Sequence, residues 1–356
     1  MAHGENAPLN ITPGAIRFNT DSMKLEYFRI GMEGGNSSSY AGIGTVAAGE
    51  WVQITTDTPD VQTGGARGVF SGGNPATDVM DYINIASTGN AISFGTLSEA
   101  KLSMGATSDR TRGILIGGYV PSGSNRDVID QFTFASTGSR ADFEDLLFSR
   151  RYCTGSSNGT RGLIAGGYTS NYVEEIEYVT IQAAAEAVDF GNLITAMTDK
   201  VAVCSQTKSV IAGGLVTNVQ TNIEYVMTAT LGNAASFGDL TVGRRGCGGA
   251  CNSTRGVWMG GDAAPGSGTD NNTIDYIEFA TLGDAIDFGD LSVSKGRSQG
   301  QVSSPTRGIA GGGFPNANNI QYIQLMSKGN SLDFGNLTRT ASDENAGCSN
   351  GHGGLG

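Results

Sequence analysis

Histidine is nearly missing from this 356-residue chain: His3 and His352 are the only two. With so few, neither a Ser-His-Asp triad nor a histidine-based metal cluster is expected. The five cysteines, Cys153, Cys204, Cys247, Cys251 and Cys348, cannot all pair with one another and lack the paired C-x-x-C spacing of a zinc site, so reduced thiols are expected. No run of about 18 consecutive apolar residues occurs, and Met1–Asn10 has no charged stretch followed by an apolar one, which argues against membrane insertion and Sec export. Cations are scarce: 22 Lys and Arg stand against 34 Asp and Glu, a net charge of -12. Binding to a phosphate backbone depends on clustered cations, so nucleic-acid binding is excluded as a general mode. There is no G-x-x-x-x-G-K-[ST] phosphate loop, and the 8 prolines are too few for a proline-rich linker protein.

Glycine is what the chain has in excess. Its 55 residues are about twice the usual share of roughly 7%, and they fall in a repeat. The stretch from Ile274 to Leu291 occurs six times in near copies. Ile274, Tyr276 and Phe279 lean towards a period of two, Leu282-Gly283-Asp284 supplies a turn, and Ile286 and Phe288 begin a second extended run, which spells a β-hairpin. A Gly-Gly doublet ends an apolar run in every copy, at Gly72-Gly73, Gly117-Gly118, Gly166-Gly167, Gly213-Gly214, Gly260-Gly261 and Gly311-Gly312. An aromatic follows, at Tyr82, Phe132, Tyr178, Tyr225, Tyr276 and Tyr322, and then a phenylalanine, at Phe94, Phe143, Phe190, Phe237, Phe288 and Phe334. Their separation is 12 residues in five copies and 11 in the second, as if that copy lost a residue before its turn. Constant spacing predicts a pair of core rings facing each other across the hairpin.

Successive aromatics lie 46 to 51 residues apart, a length that suits four short strands per unit. An apolar strand, a Gly-Gly doublet and a spaced aromatic resemble the kelch pattern of β-propellers over residues 64–356. The usual kelch Trp is replaced by a Phe further along, in F-G-[DNT]-L, or F-E-D-L at Phe143. The resemblance implies an all-β, six-bladed kelch-like β-propeller, similar to repeat proteins of marine phages.

A small residue stands four positions before each Arg-Gly or its equivalent: Ser108, Ser157, Cys204, Cys251 and Ser303, before Arg112, Arg161, Lys208, Arg255 and Arg307. The first copy, at Arg67, has no convincing strand ahead of it. Ala346 to His352 matches the start of a seventh unit, with Cys348 in the small position and His352 in place of Arg, so a C-terminal strand is expected to close the first blade. The Arg series is expected to tie each blade to a neighbour's carboxylate.

Residues 1–63 differ from the rest. Ala15–Phe18 and Lys24–Phe28 flank the polar cluster Asn19–Ser22 and predict a hairpin, with a third strand near Trp51–Ile54 and a long Gly-, Ser- and Ala-rich loop over Gly31–Gly49. The run P-G-A-I-R-F-N-T-D-S-M-K-L-E-Y-F, with G-E-W-V-Q-I later, resembles a segment common in bacteriophage tail fibres and other virion appendages. That resemblance covers about the first sixth of the chain. It implies an attachment or oligomerisation segment that binds other virion proteins, a homo-oligomer, and a virion location after assembly in the host cytoplasm.

No catalytic residue and no cofactor is expected. Asp284, Asp287 and Asp290 look like a carboxylate cluster, yet the same slots hold Asn90, Ser93 and Thr96 in the first copy, a set suited to turns and strand ends. The segments after the doublets vary most, and in a propeller they emerge on one face. Tyr119, Tyr168, Tyr172, Asn271 and Phe314 are therefore the candidates for binding a host-surface glycan or protein. The chain is expected to be a non-enzymatic virion protein, with a glycan-degrading propeller enzyme or an intracellular kelch-like scaffold as the alternatives.

Overall fold

The computed structural model describes residues 15–19, 24–30, 49–53, 66–138, 140–265, 270–297, 300, 302–315, 318–339 and 343–355. The chain divides into two units, Met1–Thr58 and Pro59–Gly356. In the first, strands β1 (Ile16–Asn19), β2 (Lys24–Ile30) and β3 (Gly49–Gln53) form an antiparallel sheet in sequence order. Ile16 pairs with Tyr27 and Phe28 with Trp51. Most of the expected turn at Asn19–Ser22 and nearly all of the expected loop Gly31–Gly49 lie outside the described residues.

The second unit is a six-bladed β-propeller. Blade two holds β7 (Gly105–Ser108), β8 (Arg112–Ile116), β10 (Ser124–Thr133) and β11 (Ala141–Arg150), with a short β9 (Tyr119–Val120) paired to β10. Blade three is β12 (Thr154–Ser157), β13 (Arg161–Ala165), β14 (Glu175–Thr180) and β15 (Val188–Asn192). Blade four is β16 (Val201–Cys204), β17 (Lys208–Ala212), β18 (Asn222–Met227) and β19 (Ala235–Asp239). Blade five is β20 (Gly248–Cys251), β21 (Arg255–Met259), β22 (Thr273–Glu278) and β23 (Ile286–Asp290). Blade six has β24 (Arg307–Gly311), β25 (Asn319–Gln324) and β26 (Leu332–Asn336), its innermost strand reduced to the bridge between Ser303 and Gly308. Blade one is β4 (Arg67–Ser71), β5 (Thr77–Asn84) and β6 (Ile92–Lys101), completed by β27 (Ala346–Ser349) as its innermost strand. The expected closure by a late strand is thus present.

Innermost strands such as Gly105–Ser108 and Gly248–Cys251 are buried on both faces and built from small residues, because strands from all the blades converge on one axis. The Gly of each Arg-Gly serves the same convergence. A Cβ at Gly256 would stand 2.6 Å from Val203, and one at Gly308 would stand 2.6 Å from Ala250, each on the preceding blade's innermost strand. A larger residue would push neighbouring blades apart.

Between the third and fourth strands of the blades the expected ring pairs are edge-to-face. Tyr82–Phe94, Tyr178–Phe190, Tyr225–Phe237, Tyr276–Phe288 and Tyr322–Phe334 have centroids 5.9 to 6.2 Å apart. The second blade corrects the sequence reading. Gln131 pairs with Ile114 and Ala141, as Tyr178 pairs with Leu163 and Val188, so Gln131 and not Phe132 is the counterpart of the tyrosines. No residue was lost, and the 12-residue spacing holds in all six blades. A one-residue shift along a strand changes faces; Phe132 lies on the opposite face, 5.2 Å from Phe94 of blade one.

The same logic corrects the closing strand. Ser349 pairs with Gly68, as Ser108 does with Gly113 and Cys251 with Gly256, while Cys348 pairs with Val69. Ser349, not Cys348, is therefore the small residue of blade one, and Arg67 its arginine. The sixth doublet is Gly312-Gly313, at φ 76° and 86°, because Gly311 still belongs to β24.

Adjacent blades are tied at several radii. Near the axis, Ser108 Oγ donates to the Ser349 carbonyl at 2.8 Å, Ser303 Oγ to the Cys251 carbonyl at 2.9 Å and Ser349 Oγ to the Ser303 carbonyl at 2.7 Å. Further out, Arg67, Arg112, Lys208 and Arg255 donate to the carbonyls of Phe134, Ile181, Phe279 and Leu325 on the next blade, at 2.6 to 2.7 Å. The tie is blade to blade as expected, but the acceptor is backbone, not a carboxylate. Arg255, Arg161 and Arg307 also lie over their own blade's tyrosine, 4.5 to 4.8 Å from its centroid.

Five buried cations meet a carboxylate of the following blade: Lys101 with Asp130 (2.9 Å), Arg150 with Glu177 (2.9 Å), Lys200 with Glu224, Arg244 with Asp275 (2.8 Å) and Arg339 with Asp81 (3.2 Å). At the outer rim, Asn90, Asn233, Asp284 and Asn330 each accept the backbone N–H of Asn336, Asn192, Asp239 or Asp290 on the preceding blade at 3.0 Å. This bears out the turn and strand-end role for Asp284.

Two outcomes follow. A chain cut before Ala346 leaves β4 without its inner neighbour, and its thermal midpoint should fall well below that of the full chain; unchanged melting would count against closure by β27. Arg244→Met alone should cost about 3–5 kcal/mol in urea denaturation, because it strands the Asp275 charge, while Arg244→Met with Asp275→Leu should recover most of the loss.

Candidate binding site at the axial mouth

The Gly-Gly doublets sit in the left-handed region, Gly166 at φ 62° and Gly167 at 117°, which turns the chain sharply at the end of each second strand. The residue after each doublet then pairs with a residue shortly before an innermost strand: Tyr119 with Leu102, Tyr168 with Arg151, Leu215 with Thr198, Asp262 with Arg245, Phe314 with Gly296 and Asn74 with Asp343. The residues one further on, Ser103, Tyr152, Asp199, Gly246, Arg297 and Glu344, form a ring at this end of the axis. All six have φ between 53° and 57°, although only one is glycine. Backbone bonds hold them, including Tyr152 N–H to Ser103 O at 2.8 Å, Gly246 N–H to Asp199 O at 2.9 Å and Glu344 N–H to Arg297 O at 2.8 Å. Five side chains are thereby kept in a conformation that costs about 1–3 kcal/mol each, the kind of strain that gathers at functional sites.

Strain coincides with a cavity. A pocket of about 210 Å³ opens here, lined by Tyr152, Asp199, Arg297 and Glu344 of the ring and by Arg151, Tyr168, Tyr172, Thr198 and Arg245. Arg151 lies 4.5 Å from the Tyr119 ring centroid and 5.2 Å from that of Tyr168, and Tyr168 meets Tyr172 edge-to-face at 5.9 Å. Glu344 accepts from Ser103 Oγ at 2.5 Å and Tyr152 OH at 3.2 Å and pairs with Arg297 at 3.4 Å. Asp262 pairs with Arg297 at 3.2 Å and Arg245 at 3.5 Å, and Arg245 also approaches Asp199 at 3.6 Å. Burial pushes the Asp199 carboxyl up to about 7, against the pull of Arg245. Burial and the nearby Glu344 charge push the Tyr152 hydroxyl up to about 12, so it stays protonated. The pocket thus offers hydrogen-bond donors, acceptors and aromatic edges together.

Three of the five sequence candidates, Tyr119, Tyr168 and Tyr172, come together around Arg151. Asn271 is used within its own loop, its Oδ1 accepting Thr273 N–H at 2.9 Å and Thr273 Oγ1 at 2.8 Å. Phe314 is 46% exposed and does not line this pocket. Sequence reasoning missed Arg151, Tyr152, Asp199, Arg245, Arg297 and Glu344. Their signal was present as variation between copies just before the innermost strand, where the ring positions read Ser, Tyr, Asp, Gly, Arg and Glu.

Among the described residues, one group could hold a metal ion: Cys204, Cys251 and His352, near the other end of the innermost strands. No described helix is long and apolar enough to cross a membrane. A scan against protein-family models found no match, and a search of the curated proteins found none.

The raised Asp199 carboxyl has a signed consequence. Its proton is held in the folded state and lost in the unfolded state between the ordinary 3.8 and about 7, so its contribution to stability is full below pH 3.8 and lost as pH rises through 7. Asp199→Asn removes that loss. The variant's stability relative to the parent, from urea denaturation, should rise between pH 5 and pH 8; a pH-independent difference would contradict the shift.

Proposed function

We propose that the chain is a non-enzymatic appendage protein of a bacteriophage particle, whose propeller carries a glycan-binding site at the axial mouth. A propeller fold is compatible with a binding or structural role. The observation that carries the binding role is the break in sixfold uniformity: where the blades otherwise repeat, the mouth gathers Arg151, Tyr168, Tyr172, Asp199, Arg297 and Glu344 around one cavity. Aromatic rings beside a mixed set of charged donors and acceptors suit the hydroxyl-bearing faces of a sugar. The virion setting rests on the resemblance of Pro13–Phe28 to tail-fibre segments. In this reading the first unit contacts other virion proteins and assembles as a homo-oligomer.

The test uses the purified full chain on an array of bacterial surface oligosaccharides. Binding to a subset of glycans is expected, with affinity reduced at least about tenfold by Tyr168→Ala with Tyr172→Ala, since such pairs supply roughly 1–3 kcal/mol of contact. Equal binding by parent and variant would remove the mouth from the reading. Asp199 favours a second reading, because a carboxyl still protonated near neutrality is what a glycosidic general acid requires. Release of reducing ends from a bound polysaccharide, abolished in Asp199→Asn, would replace binding with hydrolysis.

A further inference from the structure

Two of the small axial positions differ from the other four. Ser108, Ser157, Ser303 and Ser349 stand where blades four and five carry Cys204 and Cys251. After β27 the chain crosses this end of the axis in a short 3-10 turn, Gly353–Leu355, and carries His352 into the ring. All three side chains are buried. Gly353 and Gly354 allow the approach: a Cβ on Gly353 would stand 2.0 Å from the Asn252 carbonyl, and one on Gly354 would stand 1.8 Å from the Ser157 carbonyl.

We propose that Cys204, Cys251 and His352 form a binding site for a thiophilic d10 cation, Zn2+ or Cu+, which staples blades four and five to the segment that closes the ring. The distances support it. A cation about 2.3 Å from sulfur and about 2.0–2.1 Å from nitrogen in tetrahedral geometry spaces two sulfurs about 3.8 Å apart and a sulfur and a nitrogen about 3.6 Å apart. Here Cys204 Sγ lies 3.9 Å from Cys251 Sγ and 3.5 Å from His352 Nδ1, and all three ligand atoms lie within 4.8 Å of one another. His352 is already oriented for the task. Its Nε2 lies 3.0 Å from the Ser108 carbonyl, which can only accept, so Nε2 carries the proton; the Nδ1 lone pair, 3.5 Å from Cys204 Sγ, accepts the Gly354 N–H at 3.2 Å, a bond that the cation would replace. The Nε2 bond is the outer hydrogen bond that fixes metal-binding imidazoles. Binding Zn2+ expels the two thiol protons and leaves a site without net charge, as a buried position demands. Three donors complete a trigonal Cu+ site and leave Zn2+ one further position.

The experiment uses the full chain, reduced and stripped with a chelator. Zn2+ is titrated against a chromophoric chelator, and Cu+ anaerobically against bicinchoninate. Tight binding of one cation per chain in either arm is expected, with a rise in thermal midpoint on saturation. Cys204→Ser with Cys251→Ser should weaken binding by more than about 100-fold yet keep the metal-free midpoint, because Ser fills the same position in the other blades. As a measurement that needs no variant, Co2+ should produce a thiolate-to-cobalt charge-transfer band in the parent. Failure of both cations to bind, absence of that band in a chain that binds Zn2+, or unchanged binding by the double variant would overturn the proposal.

Discussion

Strand β27 pairs with β4 from the far end of the sequence, and Asn350 Oδ1 accepts the Arg67 N–H at 2.7 Å across the same seam. Every other contact between blades depends on that closure, since a ring admits no interface that differs much from the rest. The blades meet this constraint with interactions graded by radius. Hydroxyls and thiols lie at the axis, buried ion pairs in the middle layers, and side-chain amides and carboxylates at the rim, where they bind a neighbour's N–H. Residue size follows the same gradient. Innermost strands use Gly, Ala, Ser, Thr, Val and Cys, while aromatic rings fill the wider space outside them.

A ring of this kind separates scaffold from site. At the end of the axis near the hairpins the ties are uniform, with an Arg or Lys on the next blade's carbonyl at each interface. At the opposite end the backbone is equally regular, since one left-handed residue per blade recurs with φ near 55°, yet its side chains differ completely. Regular backbone strain with irregular side chains is what a recognition surface needs: geometry is supplied by the ring, and identity is left to vary.

Much of this scaffold was legible from Tyr276 and Phe288, because a core ring pair imposes constant spacing on the sequence. Three slips of one residue occurred where a neighbour imitated the motif, one of them at the sixth doublet, where Gly311 precedes Gly312-Gly313. Phe132 sits beside Gln131, the true counterpart of the tyrosines, and Cys348 sits beside Ser349. In a strand both neighbours are plausible until pairing decides the face. The ion pairs were hidden for another reason. Their cations follow the Phe by seven residues at Lys101, Arg150, Arg244 and Lys295, but by ten at Lys200 and five at Arg339, because the connection to the next blade varies in length. The mouth was read only in part, since variable residues were sought after the doublets and not before the innermost strands.

The sixth interface shows what the buried pairs do. There Lys295 donates to the Asn319 carbonyl at 2.8 Å, and the position of the carboxylate is held by Gln321, which engages Ser292 and Ser331 at 2.7 Å each. Burial alone drives the Lys295 ammonium down to about 7, whereas no carboxylate opposes it from Gln321. If ionic attraction were the main source of cohesion, this interface could not share the geometry of the others. It does share it: Ser331 N–H meets the Asp290 carbonyl at 2.9 Å, as Ala285 N–H meets that of Asp239 at 2.8 Å. Desolvation offsets most of what a buried pair gains, so packing and backbone contacts hold the blades together. The five charged pairs then act chiefly by making a misaligned neighbour costly, a requirement that one interface with Gln321 in the carboxylate's place can omit.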